Sequence, residues 1–254
     1  MKRRKAGIGI FVIVLIITAV RVKSMDSHRI SGRILAENIA GPGMLRLVEQ
    51  SMQARARKTS VTEIAVKERK HPQAALTFDD GPDIRYTPLL LDGLKERNVR
   101  VSFFLLGEKV EQYPELVERM QKEGHLVGNH TYHHVQLNKL NETKAREEIL
   151  KTNNLIYETT GVYPLYLRPP FGAWKKNLEL CVEMLPVFWT IDTLDWKVQN
   201  TEKIVRTVQE KIEDGAIILM HDEYDTSVEA ALQVVDELKS QGYELVTVDQ
   251  LILP

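Results

Sequence analysis

Asp79 and Asp80 close an apolar run, residues 74–78, at the turn Gly81-Pro82. Successive strand residues face opposite ways, so two carboxylates at a strand end can take different tasks at one site. Like charges this close titrate apart, which lets one serve as a cation ligand while the other acts as a base. A plain turn is the competing explanation, because Asp-Gly-Pro is good turn chemistry by itself. His130 and His134 supply a second cluster. Histidines four apart fall on one face of a helical turn and can reach a single cation. With Asp80 they would form a two-histidine, one-carboxylate set whose open positions admit water and substrate, the mark of a catalytic metal. A solvated polar turn would read the same way. His133, adjacent to His134, points elsewhere and is expected to support the ligands from behind or to be exposed.

These residues need a frame to bring them together. From residue 71 onward, short apolar runs at 74–78, 101–106, 125–129, 165–168, 187–191, 216–220 and 244–248 alternate with helical patterns at 87–98, 113–123, 142–159, 202–213 and 228–241. Strand and helix in alternation predict parallel strands joined by crossovers. About seven strands would make an incomplete or distorted (β/α) barrel. Asp79 and Asp80, His130, Arg168, Asp192 and Asp195, and His221 each follow the end of an expected strand, the rim on which α/β-barrel sites assemble. Arg168 sits in a strand before two prolines, and a charge buried there calls for a carboxylate partner.

Five segments in this order resemble the polysaccharide deacetylases, carbohydrate esterase family 4. They are Thr77-Phe78-Asp79-Asp80-Gly81, His130-Thr131-x-x-His134, Arg168-Pro169-Pro170-Phe171-Gly172, Asp192-x-x-Asp195-Trp196 and Leu219-x-His221. The resemblance runs from about residue 72 to 253 and implies the distorted barrel. It also implies one divalent cation, zinc first and cobalt second, on Asp80, His130 and His134, which would activate water and polarise the acetyl carbonyl. Asp79 would be the general base and His221 the general acid, on opposite sides of the cation. Arg168 would hold Asp79 and Asp195 would orient His221, with Asp192 a neighbour of less defined role. Trp196 and Leu219 would line the acetyl pocket, although ordinary core packing explains both equally well. Phe171 stands where the family commonly has tyrosine; its backbone N–H would still serve the oxyanion. Thr131 would brace the histidine loop.

The chain has 254 residues, 43% hydrophobic and 27% charged, with a net charge of −1. That suits one sizeable domain with an appendage. Residues 1–70 carry 15 lysines and arginines against 5 acids, and the remainder 19 against 30. An acidic domain is a poor nucleic-acid partner, whereas a basic leader suits an anionic membrane or wall polymer. Cys181, the single cysteine, excludes an intramolecular disulfide. Residues 2–5 are basic and residues 6–20 lack any charge, which predicts a signal or anchor segment over 1–23. Its length falls between a signal core and a comfortable span. We expect an uncleaved anchor, a cleaved signal being the alternative, then a basic stalk over 24–70 and a catalytic domain over 71–254. Either arrangement places the domain outside the cytoplasm, in a Gram-positive bacterium by the form of the Asp192–Trp196 segment.

The leading functional expectation is therefore N-deacetylation of N-acetylglucosamine in an extracellular glycan, peptidoglycan first. Chitooligosaccharide or exopolysaccharide deacetylation, O-acetyl xylan hydrolysis and a retired glycan-binding module are the alternatives. No protein partner is inferable. Adjacent carboxylates do not suit a glycosidase, which needs them roughly 5–10 Å apart.

Overall fold

The computed structural model describes residues 70–174 and 184–252. The expected anchor, almost all of the stalk, and Cys181 lie outside the described residues. Among those described, no helix is long and apolar enough to cross a membrane.

Eight short strands alternate with helices: β1 (Gln73–Asp79), α1 (Tyr86–Glu96), β2 (Ser102–Leu105), α2 (Gly107–Gln112), α3 (Pro114–Lys122), β3 (Leu126–Asn129), α4 (Glu142–Thr160), β4 (Tyr166–Leu167), β5 (Leu185–Pro186), β6 (Ile191–Asp192), α5 (Asp195–Val198), α6 (Thr201–Lys211), β7 (Ala216–His221), α7 (Asp225–Ser240), β8 (Glu244–Leu245) and α8 (Val248–Ile252). All pairings are parallel, in the order β5-β4-β3-β2-β1-β7-β6. Ala74 pairs with both Ala216 of β7 and Leu245 of β8, so β8 lies beside the first half of β1 on the side that β2 takes further along. No ladder joins β5 to β6 among the described residues, which leaves an α/β half-barrel. One expected strand, residues 187–191, is instead irregular chain between β5 and β6 over 187–190, with only Ile191 in a strand, β6. Its ends pair with different neighbours, β4 and β7.

Alternation along β1 explains the layers. Ala74, Leu76 and Phe78 face outward into the main core with Leu90, Leu91 and Leu94 of α1 and Val234, Val235 and Leu238 of α7. Each such leucine removed from water contributes about 1.5–3 kcal/mol. Ala75 faces inward with Phe104, Tyr166, Val187, Val246, Val248 and Leu251. Thr77 and Asp79 continue that inward row. The inner face is thus apolar at the start of the strand and polar at its end.

The helices begin and end where their sequences direct. Asn141 caps α4 by accepting the Lys144 N–H at 2.9 Å. Gly161, at φ 73°, ends it in the left-handed conformation that glycine adopts without strain. Asn200 caps α6 in the same manner, at 2.9 Å from the Lys203 nitrogen.

Candidate active site

Strand register brings two expected residues side by side. On the parallel pair β1 and β7, Asp79 lies opposite His221 and Thr77 opposite Leu219. Residues in register share a face, so all four belong to the inward row. Asp79 is 3% exposed and Arg168 0%. The guanidinium Nη1 donates to Asp79 Oδ1 at 2.8 Å and to Thr77 Oγ1 at 2.7 Å. Thr77 Oγ1 in turn donates to the Ile218 carbonyl at 2.7 Å. The Arg168 guanidinium lies 4.2 Å from the Phe104 ring centroid, a cation–π contact that helps to accommodate a charge taken out of water. The expected partnership of Arg168 with Asp79 is present.

Strict alternation would aim Asp80 outward, away from Asp79. Its backbone is instead left-handed, φ 70°. The side chain consequently reaches the same site: His130 Nε2 lies 3.7 Å from Asp79 Oδ2 and 3.3 Å from Asp80 Oδ1. Beneath this bend, the Gly81 backbone packs against a buried acid that the sequence reading passed over. A Cβ on Gly81 would fall 2.4 Å from Asp222 Oδ1. Asp222 is fully buried and accepts from Thr87 Oγ1, and burial pushes its carboxyl up to about 7. An acid just beyond the catalytic-strand position and aimed at an apolar helix layer was the available signal.

His130 and His134 do converge, although not through a helical turn. Residues 130–136 have no regular structure, and both Thr131 (φ 68°) and His134 (φ 55°) are left-handed. A β-branched residue in that region is strained, and such strain persists where surrounding contacts enforce it. Asn129 Oδ1 accepts the Thr131 N–H at 2.7 Å, and Thr131 Oγ1 accepts the Val135 N–H at 3.3 Å. Thr131 thus braces the loop. His134 Nε2 ends 3.4 Å from Asp80 Oδ1. His133 turns away, 58% exposed, with its ring 2.8 Å from Glu148.

The donor chemistry of Asp80, His130 and His134 fits a cation, and their ligand atoms lie within 4.8 Å of one another. His130 Nδ1 is 2.6 Å from the Arg168 carbonyl oxygen. A carbonyl only accepts, so Nδ1 carries the proton and Nε2 presents its lone pair. That lone pair faces Asp80 Oδ1, a buried carboxylate oxygen with no hydrogen bond. Two acceptors turned toward each other at 3.3 Å repel unless a positive charge lies between them. Burial works against the charge of Asp80, and it takes such a positive charge, a proton donated by His130 foremost, to hold its carboxyl at about 2. Burial lowers the pKa of His134 against the pull of Asp80. The carboxylate is ionised and His134 neutral at pH 7, the forms that bind a metal.

His221 completes the site from β7, next to Asp79. Its Nε2 lies 3.8 Å from Asp80 Oδ2. Asp195, 0% exposed, grips it twice, accepting the His221 backbone N–H and the ring Nδ1–H, each at 2.8 Å. Burial opposes the charge on His221, but the Asp195 hydrogen bond and charge, with Asp79 and Asp80 beyond, raise its pKa to about 9. Asp192 has a definable part. Its Oδ1 accepts the Leu194 N–H at 2.9 Å, bending the chain through left-handed Leu194 (φ 54°) so that Asp195 turns back to His221.

Phe171, Trp196 and Leu219 border this cluster differently. The Phe171 ring, 62% exposed, lies 4.5 Å from the His134 ring, and its backbone is left-handed at φ 59°. Trp196, 49% exposed, follows Asp195, and Leu219, 5% exposed, precedes His221 by one inward position on β7. Among the described residues, seven other than glycine are left-handed, and five of these are Asp80, Thr131, His134, Phe171 and Leu194, all in the rim loops.

Comparison with known proteins agrees with this geometry. The polysaccharide deacetylase profile matches residues 66–188. A peptidoglycan-N-acetylglucosamine deacetylase of Listeria monocytogenes is 42% identical over 185 residues, spanning 73% of this chain and 40% of that protein. Another from Bacillus cereus is 40% identical over 186 residues, spanning 70% of this chain and 68% of that protein. The solved structure of the Bacillus subtilis peptidoglycan deacetylase PdaC superposes with a TM-score of 0.70 at 41% identity, covering 72% of this chain and 91% of that one. The chain belongs to the polysaccharide deacetylase family.

As a member of this family, it carries all five motif segments on one rim, including Asp195, Trp196, Leu219 and His221, which lie beyond the matched residues. The chain spans less than half the length of the Listeria relative. Like Asp222, Asn129 and Glu148 lie outside the five motif segments; they are polar residues that hold the histidine loop from below.

Proposed function

We propose that this chain is a metal-dependent hydrolase that removes N-acetyl groups from N-acetylglucosamine residues of a glycan outside the cytoplasm, with peptidoglycan as the leading substrate. One observation carries the reading. Asp79, tied to Arg168, and His221, tied to Asp195, both border the Asp80, His130 and His134 set, each with its own dedicated counter-charge. A module that only binds glycan has no use for such a pair.

Asp80, His130 and His134 would hold the cation, zinc first and cobalt second. When bound, the cation lowers the pKa of a water and polarises the acetyl carbonyl. Asp79 takes the proton of the attacking water, with Arg168 and Thr77 fixing the direction of its free oxygen. The Phe171 N–H would donate to the oxygen that gains charge. His221, protonated through Asp195, delivers a proton to the departing amine nitrogen. Trp196 and Leu219 would enclose the acetyl methyl, keeping water other than the reactant away.

The names of the relatives support a cell-wall substrate, and the basic, apolar leader supports a site of action outside the membrane. The full chain, zinc-loaded, is expected to release acetate from peptidoglycan fragments or chitooligosaccharides with a mass loss of one acetyl per event. No acetate from any N-acetylglucosamine polymer would overturn the assignment. Acetate from acetylated xylan alone would reassign the chain as an esterase with the same residue roles.

A further inference from the structure

The histidine loop is held by a group that no motif contains. Glu148, on α4, has a side chain 16% exposed whose Oε2 accepts two successive backbone N–H groups, Tyr132 at 3.0 Å and His133 at 2.9 Å. Its Oε1 lies 2.8 Å from His133 Nδ1. One carboxylate therefore satisfies three polar groups on two of the three residues between His130 and His134. Other groups of α4 extend the grip. The Ile149 carbonyl and Asn153 Oδ1 accept from Asn129 Nδ2, at 2.9 Å and 2.6 Å. Lys151 Nζ lies 3.4 Å from the Tyr132 ring centroid, and the Tyr132 hydroxyl donates to Glu111 of α2.

We infer that Glu148 is a positioning residue for the metal centre, setting the loop so that left-handed His134 faces Asp80. The loop has no helix or ladder of its own, and strain at Thr131 and His134 must be offset by contacts outside it. Glu148 supplies more of these than any other side chain described. The inference rests on the metal-site reading above and adds the means by which the free protein keeps the ligands in place. Groups behind metal ligands typically change affinity by about 10–100-fold when removed.

Zinc affinity of the full chain, measured by competition with a chelating indicator, separates geometry from charge. Glu148→Gln retains the length and an accepting oxygen, whereas Glu148→Asp retains the charge but withdraws it by one methylene. Positioning predicts zinc affinity within about threefold of wild type for Glu148→Gln, and at least about tenfold weaker for Glu148→Asp and Glu148→Ala. Glu147→Ala, a neighbouring acid that touches none of these loop groups, should match wild type. Visible spectra of the cobalt-loaded proteins should change for Glu148→Asp and stay unchanged for Glu148→Gln. The reverse order, Gln weak and Asp normal, would overturn positioning in favour of charge. Wild-type affinity in both Glu148→Asp and Glu148→Ala would overturn it outright. A wild-type chain that binds no zinc would instead overturn the metal reading itself.

Discussion

Two regions of the rim position catalytic groups by different means. At the ends of β1 and β7, Asp79 and His221 lie side by side on the inward face because the ladder from Ala74 opposite Ala216 to Asp79 opposite His221 runs in unbroken register. The loop carrying His130 and His134 has no ladder, and side chains from α4 hold two left-handed residues in place. Backbone register is cooperative, so removing one side chain there deletes a chemical group and leaves its neighbours where they were. A loop held by side chains is shaped by those side chains, so the same operation moves its ligands. Substitutions at the strand ends should therefore change chemistry, and substitutions in or under the loop should change metal binding.

The largest effects are expected at the strand ends. Asp79→Asn and His221→Ala should each lower kcat by about 10²–10⁴-fold while zinc content stays at wild-type level, as measured by acetate release and metal analysis. Zinc loss in either variant would erase the contrast between the two regions.

Next in size is Arg168. It is fully buried, and the Asp79 carboxylate that it serves is 3% exposed. Arg168→Met removes the partner and leaves that carboxylate unpaired in a dry interior. Breaking a buried pair in this way costs about 3–5 kcal/mol, which chemical denaturation of the metal-free protein should register. A change under 1 kcal/mol, on the order expected of a surface pair, would show that Arg168 does not stabilise a buried Asp79 carboxylate.

Asp195→Asn sharpens the strand-end half of the comparison through pH. Asp195 is the foremost of the groups raising the His221 pKa to about 9, and His221 must be protonated to act as acid. Activity should thus be retained below that pKa and fall as pH rises through it. Losing Asp195 lowers the pKa, so the alkaline limb of kcat/KM should move to lower pH. A cation beside Asp80 offsets part of the carboxylate influence in both proteins, which makes the displacement between the two profiles the useful reading. Superimposable profiles would remove His221 from the role of acid.

The smallest effect is expected at His133. It lies in the loop but points outward, and His133→Ala leaves both backbone donors to Glu148 intact. Zinc affinity should stay within about threefold of wild type, well short of the loss that follows removal of a group that orients ligands. A large loss would make His133 a ligand.

The two regions also differ in how much of them the sequence reveals. The frame was legible: alternating runs marked β1, β2, β3 and β7 and the major helices, and each catalytic position ended a strand. Those features repeat locally, so a short window suffices to detect them. The ligand loop was legible only in its residue types. Four-residue spacing suggested a helical turn, whereas Thr131 and His134 take left-handed conformations that depend on Asn129 and Glu148. Glu148 is an unremarkable helix glutamate by composition, and only the packing of α4 beside β3 gives it a task. Asp80 was likewise identified by type, while the backbone reversal that brings it beside Asp79 depends on Gly81 resting against Asp222, a residue distant in sequence.

Zinc stoichiometry and turnover measured together on Asp79→Asn and His134→Ala test the division of labour most directly. The account predicts about one zinc per chain with turnover lost in Asp79→Asn, and both zinc and turnover lost in His134→Ala. Loss of zinc from Asp79→Asn, or a full complement of zinc in His134→Ala, would contradict it.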